Sequence, residues 1–233
     1  MLLSGLYVPL ITPFDDTGAV ALGALESIAN EVLDAGARGL VALGTTAEPG
    51  ALSAAEQRAV TDVAAGVARE RGAQLIVGAH DQGALRELGR RPGVTAALSV
   101  VPPFVRPGEA GVLAHFARLA AGSPVPLVVY DVPYRTGQYL SAAALLELAG
   151  IDGVAGLKYA PGASAPTPSR CWPPGPPGWP SWEATTRSSR RCSRSARTAR
   201  SWPRPTWPRT ASPAWSRCGR PATRPPPATW AAG

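Results

Sequence analysis

The chain has 233 residues, 45 % of them hydrophobic, with 25 Gly, 26 Pro, three Cys and a formal net charge of +7. That length suits one (β/α) barrel or one or two smaller domains, but the averages hide two populations. Residues 1–162 carry 11 Arg and Lys against 15 Asp and Glu, whereas residues 163–233 carry 12 Arg against the single acid Glu183, so a basic surface for nucleic acid would have to come from the tail alone.

Short apolar runs alternate with amphipathic helical stretches along the first part. Residues 6–11 read as a buried strand, and residues 22–34 have helical spacing at Leu22, Leu25, Ile28, Ala29, Val32 and Leu33. A second strand covers 39–43. Ser53 with Glu56 three residues on forms a capping box that opens a helix to about Arg71. Residues 75–78 are a third strand, 84–90 a short helix and 96–101 a fourth strand. A helix over 109–121, a strand over 125–129, a helix over 141–149 and a sixth strand over 154–158 complete the series. The strands are uniformly apolar rather than alternating, as expected when both faces are covered. Strands separated by helices imply right-handed βαβ units and a parallel sheet. A doubly wound open sheet is the other candidate, weakened because no Gly-rich nucleotide fingerprint follows an early strand.

After about Gly162 the residues that build a core stop. Residues 163–233 contain no Leu, Ile, Val, Phe, Met, Tyr or Lys, while all seven Trp, all three Cys and 15 Pro lie there. Trp without aliphatic partners cannot fill a normal core, so residues 163–233 are expected to be an irregular, disordered Arg/Pro/Trp-rich tail behind a partial barrel of residues 1–162. The first part has no cysteine and no disulfide framework, and Cys171, Cys192 and Cys218 lack metal-type spacing. The N-terminus lacks the pattern of a signal peptide, and no apolar run is long enough to span a bilayer. These features predict a soluble, cytoplasmic protein with no metal and no cofactor.

Polar residues cluster at the predicted strand ends. Thr45 and Thr46 follow the second strand, Phe104 the fourth, Tyr130 ends the fifth with Arg135 five residues later, and Lys158 ends the sixth. In a (β/α) barrel these ends open on one face, where such enzymes do their chemistry. A lone Lys at the end of an apolar strand either reaches solvent or is desolvated, and a desolvated neutral amine can attack a ketone to form a Schiff base. His80 follows the third strand, where it is either a minor substrate contact or a loop residue satisfied by backbone, and His115 falls inside a helical pattern as a structural residue. Two isolated His do not make a metal site.

Three segments carry a family resemblance. Gly44-Thr45-Thr46-Ala47-Glu48 is similar to the Gly-Thr-Thr-Gly-Glu loop of the dihydrodipicolinate synthase / N-acetylneuraminate lyase family. Tyr130-Asp131-Val132-Pro133-Tyr134-Arg135-Thr136-Gly137 resembles its Tyr-Asn-Val-Pro-x-Arg-Thr-Gly signature, and Gly156-Leu157-Lys158 its Schiff-base strand. The resemblance covers about residues 4–162 and implies a (β/α)8 TIM barrel, here incomplete at about six strands. It also implies a class I aldolase-type lyase, usually a homotetramer, acting on a pyruvate-like 2-oxo acid and an aldehyde acceptor, without nucleic acid or membrane. By the same resemblance Lys158 forms the imine and Tyr130 relays protons. Thr45 joins the relay, Thr46 holds the 2-oxo acid carboxylate, and Arg135 binds the carboxylate of the second substrate. The residues themselves leave alternatives open: Arg135 as a clamp on its own loop, the Thr pair as loop caps.

The chain departs from the family at several points. Phe104 stands where many synthases carry a Tyr that a neighbouring subunit lends to the relay, and a phenyl ring cannot transfer a proton. Asp131 replaces Asn, Ala47 replaces Gly, Tyr159-Ala160 replaces polar residues, and the third helix is short. Strands seven and eight are missing, which leaves open edges on the first and sixth strands. The tail's alphabet, nearly confined to Ala, Gly, Pro, Arg, Ser, Thr, Trp and Cys, is what a GC-rich gene yields when read out of frame, so the tail reads as a frameshifted C-terminus; a catalytically inactive product of such a gene is the alternative to the lyase. An Arg/Trp tail that binds nucleic acid through phosphate contacts and stacking is the weaker alternative.

Overall fold

A computed structural model describes residues 3–160 and 181–183. The expectations made for the rest of the tail lie outside the described residues. The chain forms strands β1 (Tyr7–Pro9), β2 (Gly39–Ala42), β3 (Gln74–Gly78), β4 (Val94–Val100), β5 (Leu127–Asp131), β6 (Val154–Tyr159) and β7 (Ser181–Glu183), with helices α1 (Leu22–Asp34), α2 (Ala54–Glu70), α3 (Gln82–Gly89), α4 (Gly108–Ala121), α5 (Pro133–Thr136) and α6 (Ala142–Ala149). The strands lie side by side in chain order as one parallel sheet. Parallel neighbours joined through helices are the arrangement the sequence predicts, a curled, incomplete barrel rather than a doubly wound sheet, whose strand order would reverse.

Both faces of the sheet are apolar, which explains why its strands read as unbroken hydrophobic runs. Leu40, Leu75, Val77, Ala97, Leu127 and Val129 pack outward with Leu25, Val60, Phe116 and Leu148 of the helices. Val41, Ile76, Ala96, Leu98, Val128 and Tyr130 gather with Tyr7 and Leu3 on the inner face.

Local chemistry moves several boundaries. The Asp81 carboxylate accepts the Ala84 N–H at 2.9 Å and caps α3, so that helix starts at Gln82 rather than Ala84. The Ser123 hydroxyl bonds both polar backbone groups of Val125 (2.6 and 3.4 Å), which holds that residue in a turn and delays β5 to Leu127. The turn after β5, where the sequence pattern predicts no element, winds into α5 with Pro133 at its start and Gly137 in the left-handed region (φ 71°) at its end. One expectation is corrected: the sixth strand does not keep a fully open edge. Ser181–Glu183 pairs in parallel with Leu157, Lys158 and Tyr159, because an edge with unpaired N–H and C=O groups is a template for any extended segment that can reach it.

The capping box at α2 forms in both halves. The Glu56 N–H donates to the Ser53 hydroxyl at 3.3 Å and the Ser53 N–H donates to the Glu56 carboxylate at 2.7 Å. Replacing Ser53 by Ala is expected to cost about 1 kcal/mol of stability, read as a lower urea midpoint, and an unchanged midpoint would show that α2 does not need the cap.

Candidate active site

Three chain segments bring their polar residues to the C-terminal ends of the strands. After β2 the backbone bends sharply: Leu43 takes φ 52°, Gly44 opens a one-turn 3-10 helix over Thr45–Ala47, and Glu48 takes φ 50°. The bend requires a glycine on the next strand. A Cβ on Gly78 would lie 2.0 Å from the Leu43 carbonyl oxygen, so only a residue without a side chain lets that carbonyl approach. The Thr12 hydroxyl donates to the Ala47 carbonyl at 2.8 Å and ties the turn to the segment after β1. Within this turn Thr45 is half-buried and Thr46 is exposed.

The facing of β5 and β6 depends on one unpaired residue. Leu127 pairs with Val154, but Val128 pairs with Gly156, so Ala155 is skipped. Beyond this irregularity Tyr130 lies opposite Lys158 and Asp131 opposite Tyr159. Tyr130 belongs to the inner face, and the Lys158 ammonium nitrogen lies 4.1 Å from the centroid of its ring. Burial lowers the Lys158 pKa from the ordinary lysine value, and the Arg135 guanidinium lowers it further by like-charge repulsion. Burial raises the Tyr130 pKa, against a hydrogen bond from Thr45 and the nearby Arg135 charge, which both lower it. Both shifts act in the same sense, easing proton loss from the amine and keeping the proton on the phenol.

Arg135 is exposed on α5, its Nε donating to the Tyr134 hydroxyl at 3.4 Å and its guanidinium 5.7 Å from the Tyr134 ring centroid. Its charge is felt at both Lys158 and Tyr130, so Lys158, Tyr130, Thr45 and Arg135 form one electrostatic cluster, with Thr46 next to Thr45 in the same turn. Tyr134 is a member that sequence reasoning gave no role. It lies within the quoted signature at a position where the family pattern leaves the residue free, so nothing in the pattern marked it. Phe104 is 90 % exposed with φ 68°. His80 accepts the Val100 N–H on Nδ1 at 3.4 Å, the backbone-satisfied reading, and burial lowers its pKa. His115 stands edge-on to Phe116 at 5.1 Å in α4. Among the described residues no three His, Cys, Asp or Glu side chains gather into a metal site, and no helix is long and apolar enough to cross a membrane.

A sequence model for the dihydrodipicolinate synthetase family matches residues 2–167. The 4-hydroxy-tetrahydrodipicolinate synthase of Xanthomonas axonopodis pv. citri is 37 % identical over 165 residues, which are 69 % of this chain and 54 % of that protein. The enzyme of the same name from Methanothermobacter thermautotrophicus is 30 % identical over 165 residues, 69 % of this chain and 58 % of its own length. Among solved structures, the 4-hydroxy-tetrahydrodipicolinate synthase of Methylacidiphilum fumariolicum SolV aligns at TM-score 0.62 with 26 % identity, over 69 % of this chain and 55 % of its own. The dihydrodipicolinate synthase of Thermotoga maritima, at 24 % identity and TM-score 0.65 over 69 % of this chain and 56 % of its own, shares the fold. The chain spans about half the length of the curated relatives it matches.

Lys158 is the only lysine of the chain, so its ε-carbon gives a single resonance in a carbon-13 lysine-labelled sample. The titration midpoint is expected below the ordinary 10.5. Arg135→Ala removes a neighbouring positive charge, makes protonation easier and moves the midpoint upward, while burial keeps it below the ordinary value. A wild-type midpoint at or above that value would contradict the desolvated amine.

Proposed function

The chain belongs to the dihydrodipicolinate synthetase family, a family of lyases, and from that premise we propose that it forms a Lys158 Schiff base with pyruvate or a related 2-oxo acid and catalyses an aldol-type condensation or cleavage. The neutral Lys158 amine adds to the keto carbon to give a carbinolamine, which loses water to the iminium. Loss of a proton from the adjacent methyl carbon gives the enamine. That carbon then forms a bond to the carbonyl carbon of an aldehyde acceptor, whose oxygen takes up a proton. Water finally adds back to the iminium and frees the amine. Tyr130, whose ring lies 4.1 Å from the Lys158 nitrogen, moves the protons of the carbinolamine steps, with Thr45 hydrogen-bonded to it as the next link. Thr46 and the backbone N–H groups of its turn hold the 2-oxo acid carboxylate. Arg135, exposed at the rim, takes the carboxylate of the second substrate. The single observation that carries the reading is the approach of a desolvated lysine, the only one in the chain, to a buried tyrosine at the family's motif positions.

This reading is of a cytoplasmic, homo-oligomeric enzyme that needs no cofactor. A second reading is favoured by where the similarity stops. The family match ends at residue 167, close to the point where the aliphatic residues disappear from the sequence. We infer from this coincidence a frameshifted C-terminus, which would leave the chain an inactive product of a lyase gene. Resequencing the gene across the codons for residues 158–165 tests that inference: a reading frame with no insertion or deletion relative to close relatives overturns it.

Borohydride reduction in the presence of pyruvate decides between the two activities. The lyase reading expects a covalent mass adduct on Lys158, absent from Lys158→Ala. Tyr130→Phe is expected to slow its formation by about 10²-fold or more, the scale of a lost general acid/base. Soluble protein that shows no adduct favours the inactive product.

A further inference from the structure

We propose that Asp131 is a positioning residue that must be protonated to hold the ends of β5 and β6 and the turn bearing Arg135 in place, and that ionisation of this one carboxyl releases the turn. This deepens the reading of the same site and rests on it for its catalytic consequence, though not for the protonation itself.

The place of Asp131 in the fold carries the argument. It is the last residue of β5, fully buried at 0 % exposure. Its neighbour Tyr130 faces inward, so the Asp131 side chain points to the opposite, helix-facing side of the sheet. Among the described residues neither of its carboxyl oxygens has a hydrogen-bond partner. Its backbone carbonyl accepts the Ala160 N–H at 2.8 Å, the last stitch between β5 and β6 beyond Lys158. The next carbonyl, that of Val132, accepts the N–H groups of Arg135 at 2.9 Å and Thr136 at 3.1 Å, which form the turn of α5. The carboxyl therefore sits beneath the junction of the tyrosine strand, the lysine strand and the arginine turn.

A charge is poorly tolerated there. The titratable group that faces it is Tyr159 on β6, itself coupled to Tyr139 in the segment after α5. Ser99 on β4 has a buried hydroxyl without a partner and no charge, and the Arg135 charge of α5 acts on Lys158 and Tyr130 rather than on Asp131. Among the described residues no cation offsets the carboxylate, and burial raises its pKa to about 7. The family's Asn at this position is a neutral isostere of the protonated acid. In the unfolded chain the carboxyl ionises near its ordinary pH of about 4, so between about pH 4 and 7 the folded state binds the extra proton. Its contribution to stability is largest below that window and is lost as pH rises through it, levelling above about 7.

The test uses the full chain and Asp131→Asn. Urea unfolding is followed from about pH 5.5 to about pH 8.5, together with tryptic cleavage after the exposed Arg135. The expected result is a stability difference in favour of the Asn variant that widens as pH rises and levels above about 7. Cleavage at Arg135, normalised to cleavage at Arg69, should be faster in wild type than in the variant at the alkaline end and equal at the acid end. Parallel unfolding curves, or an Arg135 ratio that does not move with pH, overturn the proposal. Should the variant fail to fold, infrared spectra of wild type labelled with carbon-13 aspartate take its place. A neutral carboxyl band that persists at about pH 5.5 and vanishes by about pH 8.5 supports the proposal, and its absence at the acid end overturns it. Pyruvate trapping on the same samples separates the two ideas: no adduct in either protein counts against the role of Lys158, while unfolding and infrared decide Asp131.

Discussion

A single skipped residue decides which way Lys158 faces. Val154 and Leu157 both pack on the helix side of β6, three positions apart. A regular strand would put residues so spaced on opposite faces, because side chains alternate with a period of two. The irregularity at Ala155 absorbs the extra residue and turns Lys158 inward, opposite Tyr130. Without it the register would set Leu157 against Tyr130 and send the amine into the apolar layer beneath α6. The cluster of Thr45, Arg135 and Tyr134 around the lysine has meaning only because of that turn. A bulge that re-aims one side chain beside a functional site is a recurrent device. Here it decides whether the only primary amine among the side chains meets the concave face or is lost in the core.

Much of this was legible from residue patterns, for identifiable reasons. The strands announce themselves because burial on both faces leaves Leu40-Val41-Ala42 and Leu75-Ile76-Val77 without a polar interruption. The start of α2 is legible because Ser53 and Glu56 satisfy each other's backbone donors locally. The positions of Thr45, Tyr130, Arg135 and Lys158 at strand ends follow from the order of elements alone. Other features depend on contacts distant in sequence and were not legible. The bulge at Ala155 is set by pairing with β5, the bend at Leu43 by the room left at Gly78, and the influence of Tyr134 by the fold of α5 beneath it. In the sequence Asp131 stands out only as a departure from the family's Asn, and its lack of partners among the described residues emerges from the packing around it.

The electrostatics of the site form a consistent set. Lys158 and Arg135 are cationic groups brought near each other, a cost that a carboxylate-bearing substrate would relieve. Burial pushes Lys158 toward neutrality, and Tyr130 and Asp131 are both pushed toward their protonated forms. The result is a buried floor that disfavours charge on its titratable groups, under a rim where one arginine stays exposed. That division suits chemistry that moves protons within the floor and recognises anions at the entrance.

All the groups gathered on the strand ends come from β2, β5, β6 and the turns that follow them, within the span from Thr45 to Lys158. The reacting groups and the enclosure around them are therefore separable parts. The residues proposed as the first lie on one contiguous length of chain. At the outer edges of β1 and β6 the second calls for parallel backbone, a requirement of hydrogen-bond geometry. Even the three residues of β7 meet that requirement along Leu157, Lys158 and Tyr159. The residues proposed to react thus lie on the inner strands and at the β6 end of the sheet, and the short β7 contributes backbone pairing beside them.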